Sequence, residues 1–519
     1  MRIDFYRDLP ELKSLLSSGV GSLNSLTPLF LMAHRSFLTT ALLWVGLVAA
    51  PLASYAQGTV VLTGKVSGRT ADTVAVSIRE NPLDPKEQIT YARLDDKGEF
   101  RLAVNVSGPT RADLVYGDDV AGLFLEPGNQ LDVRFKGSDL ASSVRFKGRG
   151  AEANTYLAEV DDKFVENDGF QVLPDNIMLY EPGFISFLDY RRKEEQKFLK
   201  GYSEDAQLTP AFKQYAQAEI DYSYANDRLT FQDLREQVVA TESRLKLSPT
   251  YYDFLNDKSL LTNAEALQSE QYHEFLLNYI HYAAINAGKQ RSSPDFYQVC
   301  YDLAKNQLSG PVRPIIMGRV MQESFRFGHV KQSAAMLADF RSIDPKNEYY
   351  PVLQQDFEAH KAFAIGAPAP DFHLLSSTGD TVSLRQFAGK LVYINFWRTT
   401  SGLALRDLPY AAELAKKFDG KNIVFLNIAL DDNDGAWKQL VVSKKLAGVH
   451  VRAAGGMRSA VAKAYAVQDV PSYFLLAEDG TFLNTKPKRL SSRAAIDEIK
   501  ESFGKAGTYS STLPAVGKQ

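Results

Sequence analysis

Residues 389–404 read GKLVYINFWRTTSGLA and contain the clearest structural signal in the chain. The run Leu391–Phe396 is almost continuously apolar, which is typical of a strand that is covered on both faces of its sheet. A second such run, Ile423–Ile428, follows later in the sequence. Strands of this kind that alternate with helices predict an α/β domain in which helices cover both faces of the sheet.

Segments on both sides of this stretch follow one another in an order that is found in a known protein family. These segments are Gly366–Phe372 (GAPAPDF), Gly379–Leu384 (GDTVSL), Gly389–Trp397 (GKLVYINFW), Asn422–Leu430 (NIVFLNIAL), Asp469–Phe474 (DVPSYF) and Asp479-Gly480. From Ile365 onward the chain resembles the redoxin branch of the thioredoxin superfamily, which groups periplasmic cytochrome-maturation thioredoxins with alkyl hydroperoxide reductases. The resemblance implies a thioredoxin-like α/β domain over residues 364–506, with a cis-proline at Pro471.

In this family the strand that ends in Phe-Trp leads into a Cys-x-x-Cys motif at the start of a helix. The helix dipole and the backbone amides lower the pKa of the first thiol there, and its thiolate attacks a disulfide that the second cysteine resolves. Counted from Phe396-Trp397, the two cysteine positions hold Ser401 and Ala404. A serine hydroxyl is not ionised at neutral pH and alanine has no resolving group, so we predict that the domain cannot perform thiol–disulfide chemistry.

Ser401 has two other interpretations. A catalytic serine needs a base and usually a third residue that orients the base. The histidines of the domain are His373 and His450, and neither lies in a recognisable pairing motif. A serine at the start of a helix is otherwise an N-cap, whose oxygen accepts a hydrogen bond from a backbone amide. The N-cap interpretation explains Ser401 fully, so the domain is predicted to have no catalytic residue.

Trp397 and Pro471 remain in the sequence although the chemistry beside them is absent. In thioredoxins the residue before the cis-proline offers main-chain hydrogen bonds to an extended substrate segment, which is a form of β-strand addition. Val470 would have that role here, so Trp397, Val470 and Pro471 are the predicted binding residues for an extended peptide or an envelope protein. The alternative is that Pro471 persists only because a cis bond is built into the fold.

The chain before the redoxin-like domain is predicted to form two further regions. Residues 57–148 alternate apolar and polar positions between turn signals, which predicts an antiparallel β-sandwich. Residues 149–360 have helical periodicity, and Thr209-Pro210 has the pattern of a helix start. The phrases Leu123–Gly128 and Phe146–Gly148 resemble those of envelope proteins that carry an N-terminal β domain of unknown function before a redoxin domain.

The first 56 residues have the features of a leader. A His-Arg pair precedes the apolar run Phe37–Ala50, and the small-residue sequence Ser54-Tyr55-Ala56 follows it, as in a secretory signal peptide cleaved after Ala56. The run is shorter than the ~20 residues that a membrane-spanning helix needs, so no stable span is expected, and uncleaved retention is the alternative. We expect the true start at Met32, a signal peptide over residues 32–56 and a protein that is periplasmic or secreted.

Composition excludes other classes of function. The chain has a formal net charge of -3 and no long run of lysine or arginine, so it lacks the basic surface that nucleic-acid binding requires. No metal site is predicted, because His273-Glu274 has Leu277 where a second histidine would be needed, and Asp431–Gly435 lacks calcium-loop spacing. No cofactor is predicted. Residues 507–519 form a polar tail that we expect to be disordered.

Cys300 is the only cysteine in the sequence. An exported chain would occupy an oxidising compartment, where disulfides persist. The surrounding residues, Phe296–Tyr301, have the pattern of an apolar helix. A buried and inert thiol is therefore the favoured interpretation, and an intermolecular disulfide is the alternative.

Two functions remain open from the sequence. With 519 residues the chain is long enough for about three domains, here a β-sandwich, a helical middle region and a thioredoxin-like domain. The favoured hypothesis is a non-catalytic binding or scaffold protein of the cell envelope, in which the redoxin domain keeps a peptide groove without the sulfur chemistry. The alternative is a thiol–disulfide oxidoreductase of the family's type whose thiols are supplied by a partner protein.

Overall fold

The structure, a computed structural model, describes residues 58–239, 244–291, 293, 295–418, 420–431, 433–492 and 494–505. The predicted leader, the predicted tail and Asp432 of the acidic loop lie outside the described residues. Within them the chain divides into two compact units. The first unit reaches Arg228 and includes Glu265–Tyr272, and the second comprises Leu229–Ala264 and the chain from His273 onward. The predicted division into β, helical and thioredoxin-like parts remains a prediction.

The first unit begins with strands. They are β1 Thr59–Ser67, β2 Thr73–Ile78, β3 Gln88–Arg93, β4 Glu99–Asn105, β5 Thr110–Tyr116, β6 Asp119–Leu125, β7 Gln130–Lys136 and β8 Arg145–Arg149. They pair in two four-stranded sheets, in the orders β4-β1-β7-β8 and β3-β2-β5-β6. In β4 the side chains of Phe100, Leu102 and Val104 are buried between exposed neighbours, as the alternation predicted. One hydrophobic cluster contains buried residues of both sheets.

One strand pairing differs from the predicted antiparallel arrangement. β1 runs antiparallel to β4 but parallel to β7, where Leu62 lies opposite Leu131. The prediction was wrong here because alternation shows which side chains face the core, while it carries no information about the direction of a strand distant in sequence. The two parallel strands approach closely at Gly64, where a Cβ atom would lie 1.9 Å from the carbonyl oxygen of Val133. Only glycine fits at this position.

The helices that follow are α1 Leu140–Ser143, α2 Ala151–Val160, α3 Glu181–Asp205 and α4 Pro210–Val238. The predicted helix start is confirmed, since the hydroxyl of Thr209 accepts a hydrogen bond of 3.2 Å from the amide of Phe212. Asn154 of α2 is fully buried, accepts a hydrogen bond from the amide of Phe124 at 2.9 Å and donates one to its carbonyl oxygen at 3.1 Å. The side-chain amide therefore occupies backbone groups at the outer strand β6 that a further strand would otherwise bind.

The middle of the chain continues as helices α5 Glu270–Asn286, α6 Phe296–Gln307, α7 Val312–Arg326, α8 Val330–Ile343 and α9 Tyr350–His360. Cys300 in α6 is completely buried, as predicted, and burial raises the pKa of its thiol. Among the described residues, no helix combines the length and the apolar character needed to cross a bilayer.

The C-terminal part of the second unit is built on one seven-stranded sheet. Its strands are β9 His373–Ser376, β10 Thr381–Ser383, β11 Leu391–Trp397, β12 Ile423–Ala429, β13 Val449–Arg452, β14 Ser472–Leu476 and β15 Phe482–Asn484, in the order β10-β9-β13-β12-β11-β14-β15. β11, β12 and β13 are parallel, whereas the other pairings are antiparallel. Every residue of β11 is buried, which agrees with the apolar run that predicted a fully covered strand.

Helices cover this sheet on both faces. They are α10 Gly402–Lys417, α11 Asp434–Ser443, α12 Ala460–Ala464 and α13 Ala494–Lys505. Ile394 and Phe396 point into a cluster with residues of α12, while Tyr393 and Trp397 of the same strand pack against α10, α11 and α13 on the opposite face. The chain is thus multidomain, with strand-rich sheets, a helical middle and an α/β C-terminal part.

His329, which directly precedes α8, leads us to expect a loss of stability in mild acid. Its ring lies 5.4 Å from the ring of Tyr297, and burial lowers its pKa to about 4. In the unfolded chain the pKa of a histidine is about 6.5. Between these two values the unfolded state binds a proton that the native state does not, so the free energy of unfolding falls as the pH falls through this window, by about 1–3 kcal/mol.

The measurement is the urea midpoint at pH 7 and pH 5 for the wild type and for His329→Gln. The variant should lose less stability between the two pH values. Burial also lowers the pKa of His450, and the hydrogen bond that His360 donates to Asp356 raises the pKa of His360, but both histidines remain in both chains. His373→Gln, at an exposed position of β9, is the control. An identical pH dependence in wild type and His329→Gln would contradict the prediction.

Candidate functional site

The turn between β11 and α10 and the first turn of α10 contain the two positions where the resemblance implies cysteines. β11 ends at Trp397, and Ser401 is the N-cap residue of α10. The hydroxyl oxygen of Ser401 accepts a hydrogen bond of 3.3 Å from the backbone amide of Ala404. The N-cap interpretation of this serine is therefore confirmed. Ala404 itself is completely buried, whereas Ser401 is partly exposed.

The hydroxyl of Ser401 has a second partner across the site. It donates to the carbonyl oxygen of Val470 at 3.3 Å, so both of its partners are main-chain groups. His450 on β13 and His373 on β9 are separated from β11 by at least the strand β12. His450 Nε2 lies 3.0 Å from the carbonyl oxygen of Ala447. In the described part of the chain, no base is placed to activate Ser401.

Asp431 holds the turn in place from the loop that follows β12. Its carboxylate is almost fully buried and accepts hydrogen bonds from the amide of Thr399 at 3.0 and 3.1 Å and from its hydroxyl at 2.6 Å. Beside it, the amide of Leu430 donates to the carbonyl oxygen of Trp397 at 2.8 Å. The consecutive residues Leu430 and Asp431 therefore attach the turn at two positions, Trp397 and Thr399.

Trp397, one of the predicted binding residues, lies inside the protein. It is completely buried in one cluster with Trp437, Ala404 and Leu408. Neither indole Nε1 atom has a hydrogen-bond partner among the described residues. The side chain of Trp397 therefore packs against α10 inside the domain and is not exposed to a ligand.

Val470 and Pro471 form the opposite side of the site. The peptide bond between them is cis, as the resemblance implied, and both side chains are partly exposed. The amide of Val470 donates to the Oδ1 atom of Asp469 at 2.7 Å, and its carbonyl oxygen accepts the hydrogen bond from Ser401. Both main-chain groups that were predicted to bind a ligand thus have a partner within the chain.

A buried charged cluster lies behind the first turn of α10. Asp407 accepts hydrogen bonds from the hydroxyl of Tyr473 on β14 and, at 2.8 Å, from Nε of Arg489. Arg489 also donates to the carbonyl oxygen of Leu403 at 3.4 Å. Asp407 is 1% exposed, and burial raises the pKa of Tyr473 well above its usual range. The cluster connects the helix, the strand after Pro471 and the segment after β15.

The sequence did not assign a role to the charged residues that shape this site. Asp407, Asp431 and Arg489 act through partners that are distant along the chain, and Asp469 acts on the residue next to it. No local motif marks such contacts. In the part of the chain that the structure describes, no group of three His, Cys, Asp or Glu side chains is arranged to hold a metal ion.

Comparisons with known proteins match the C-terminal part of the chain. The Redoxin family model matches residues 364–497. The thiol-disulfide oxidoreductase ResA of Bacillus cereus (strain ATCC 10987 / NRS 248) is 30% identical over 131 residues, which are 25% of this chain and 74% of that protein. ResA of Bacillus subtilis (strain 168) is 25% identical over 131 residues, 25% of this chain and 72% of its own. A solved thiol-disulfide oxidoreductase of Bacteroides fragilis shows 26% identity, covering 26% of this chain and 98% of its own, with a TM-score of 0.24.

Proposed function

Because this chain belongs to the thioredoxin-like redoxin family, we propose that it is a non-catalytic binding or scaffold protein built on a thiol–disulfide oxidoreductase domain. Its ligand is an extended polypeptide segment held beside Val470 and Pro471. The observation that carries the proposal is the presence of Ser401 and Ala404 at both redox positions of a chain whose single cysteine is Cys300.

The surroundings of these residues support the absence of redox activity. Ser401 uses its hydroxyl as a helix cap, and Ala404 offers only a methyl group in a buried position. Cys300 is also completely buried, and its raised pKa suppresses the thiolate that disulfide exchange needs. One cysteine cannot form the intramolecular disulfide that completes the family's reaction cycle.

The partly exposed Val470-Pro471 segment supports binding of an extended peptide. A strand-like segment laid beside it would exchange main-chain hydrogen bonds with Val470, which is how β-strand addition provides affinity. Each such bond contributes about 0.5–1.5 kcal/mol net. A few of them give a dissociation constant in roughly the micromolar to millimolar range. This range suits a protein that binds many segments transiently.

We further propose that the protein is exported by the signal peptide over residues 32–56 and acts in the periplasm or outside the cell. The two sheets of the first unit are, in this proposal, the layers of a β-sandwich over residues 57–148. A hydrophobic cluster with members from both sheets, such as Leu62 of β1 and Leu114 of β5, supports that arrangement. In the same proposal the helical region 149–360 and the thioredoxin-like domain 364–506 follow the β-sandwich, and the tail 507–519 follows the domain.

The second candidate is an oxidoreductase that uses the thiols of a partner protein. It is favoured by the relatives, which are named thiol-disulfide oxidoreductases. The two candidates are separated by an insulin-reduction assay of the full chain, in which dithiothreitol supplies the thiols in place of a partner protein. We expect no turnover above the reagent blank, whereas a rate comparable to that of an intact thioredoxin would refute the proposed function.

The proposed peptide groove lies between Ser401 at the start of α10 and Val470-Pro471. Peptide binding there is tested by a substitution that places a large side chain in the groove. Gly402 is exposed in the first turn of α10, and a Cβ atom added there meets nothing within 4 Å. Gly402→Phe should therefore fold normally and obstruct the surface beside Ser401 and Val470. The probe is fluorescein-labelled, S-carboxymethylated insulin B chain, an unfolded peptide without thiols, followed by fluorescence anisotropy. We expect the variant to bind it at least about tenfold more weakly, a change of about 1.4 kcal/mol.

Gly435→Phe is the matched control. Gly435 is also exposed in the first turn of a helix, and its added Cβ atom would have only an ordinary contact of 3.5 Å with Asn433. Its helix, α11, follows β12, which lies on the side of β11 away from β14. The control should bind the probe like the wild type. Equal affinities of the two variants would place the binding surface elsewhere.

A further inference from the structure

The side chain of Asp469 is hydrogen-bonded to the main-chain amide of Val470, which a strand-like ligand would also use. Its exposed carboxylate accepts a hydrogen bond of 2.7 Å from the amide of Val470 through Oδ1. This carboxylate forms no salt bridge with any residue in the described part of the chain. The main chain of Asp469 is held in turn, because its carbonyl oxygen accepts a hydrogen bond of 2.6 Å from the hydroxyl of Ser472.

The two main-chain groups of Val470 differ in what they can still bind. Its carbonyl oxygen has two lone pairs, so it can accept a ligand N–H in addition to the hydroxyl of Ser401. Its amide has a single hydrogen, and Asp469 already accepts it. A ligand carbonyl can bind this amide only after it has displaced the carboxylate.

Displacement has a cost that depends on the charge of the ligand. A hydrogen bond to an ionised acceptor is stronger than one to a neutral carbonyl, so a neutral segment replaces Asp469 unfavourably. A lysine or arginine of the ligand would pair with the released carboxylate and offset that cost. An acidic side chain at the same place would be repelled by Asp469.

We propose that Asp469 is the gate and the specificity-determining residue of the groove, closing the amide of Val470 in the free protein and admitting extended segments that carry a basic side chain. The inference rests on the proposed function, because it names the ligand class of the same groove. It is independent of the hydrogen bond that the hydroxyl of Ser401 donates to Val470, because that bond involves only the carbonyl oxygen of Val470.

The closed state is tested by hydrogen–deuterium exchange of the full chain, with mass spectrometry of peptides that cover residues 466–472. Asp469→Ala should exchange faster than the wild type in this segment. Asp479→Ala is the matched control, because Asp479 also accepts a backbone hydrogen bond, from the amide of Thr481 at 3.0 Å, but lies beyond the opposite end of β14. The control should leave exchange over residues 466–472 unchanged.

The gate is tested with two labelled peptides that differ in one charge, acetyl-Thr-Val-Lys-Val-Thr-amide and its counterpart with Glu in place of Lys. The wild type should bind the Lys peptide about three- to tenfold more tightly than the Glu peptide at low salt. Asp469→Ala should bind the Glu peptide about tenfold more tightly than the wild type does and change much less toward the Lys peptide. The charge of Arg398, the first residue after β11, is present in wild type and variant alike, so its effect on the affinities of the two peptides cancels in this double-mutant cycle.

Faster exchange in Asp469→Ala together with loss of the preference for Lys supports the gate. Unchanged exchange, or an equal change in affinity for the two peptides, overturns the gate while the proposed function stands. If neither peptide binds the wild type or Asp469→Ala, the proposed function fails, and the gate fails with it.

Discussion

The double substitution Ser401→Cys with Ala404→Cys is expected to convert the chain into one that forms a reversible disulfide and reduces insulin. The first position is partly exposed and caps α10, so a thiol there can meet a substrate, and the helix N-terminus lowers its pKa from about 8.5 into roughly the 3.5–7.5 range. The second position is buried one turn later, where a resolving thiol is protected. The resemblance implies a proline at the position of Leu403 and a tryptophan at that of Thr400, and both are absent here, so the rate should stay below that of an intact thioredoxin.

The chain offers a matched control for this restoration. Ser459 caps α12 by accepting the amide hydrogen bond of Ala462, with the same spacing, but Ser459 is only 8% exposed. Ser459→Cys with Ala462→Cys should therefore not reduce insulin, because substrate cannot reach its first thiol. Thiol titration before and after oxidation measures disulfide formation in both variants. Absence of a disulfide in the Ser401 and Ala404 variant would show that the turn no longer has the geometry of the redox motif.

Among the single substitutions proposed for this chain, removal of the carboxylate of Asp407 is expected to lower the free energy of unfolding most. Asp407→Ala would remove the carboxylate that pairs with buried Arg489, and breaking a buried pair in this way costs about 3–5 kcal/mol. Urea unfolding monitored by tryptophan fluorescence measures the loss. This signal reports on the same domain, because Trp397 and Trp437 both lie in it and the third tryptophan, Trp44, precedes the predicted cleavage site.

Two further variants show whether the loss comes from a stranded charge. Arg385→Met breaks the pair of Arg385 with Asp371, in which the arginine side chain is 87% exposed, and should cost less than about 1 kcal/mol. Replacing both members of the buried pair, by Asp407→Leu and Arg489→Met, should recover much of the lost stability. A loss in Asp407→Ala no greater than in Arg385→Met would refute the importance of the cluster.

The sequence predicted those parts of the fold that depend on residues close together in the chain, such as a buried strand and a helix start. The apolar run Leu391–Phe396 lies in the fully buried strand β11, and Thr209 caps α4 where the sequence indicated a helix start. The parallel pairing of β1 with β7 was missed because strand direction depends on the path of the chain between them. Gly64, which that pairing requires, does not by itself reveal which strand approaches it.

The sequence predicted which positions form the candidate site, but it did not predict the side-chain contacts that hold them in place. Counting from Phe396-Trp397 located Ser401 and Ala404, and the structure places them at the start of α10. The contacts of Asp407 with Arg489 and of Asp431 with Thr399 join residues 82 and 32 positions apart, and no spacing rule covers such pairs. The engagement of Val470 by Asp469 was missed for another reason, because adjacent residues face each other only when the backbone loop has a particular shape.

Serine and cysteine at position 401 would differ in how much they stabilise the start of α10 and in how reactive they are. A hydroxyl oxygen accepts the amide hydrogen bond of a helix start well, whereas thiol sulfur is a weak acceptor. A redox version of this turn would therefore give up part of the capping energy, about 0.5–2 kcal/mol, in order to gain a nucleophile. With serine at this position, the present chain retains that capping energy at the start of α10.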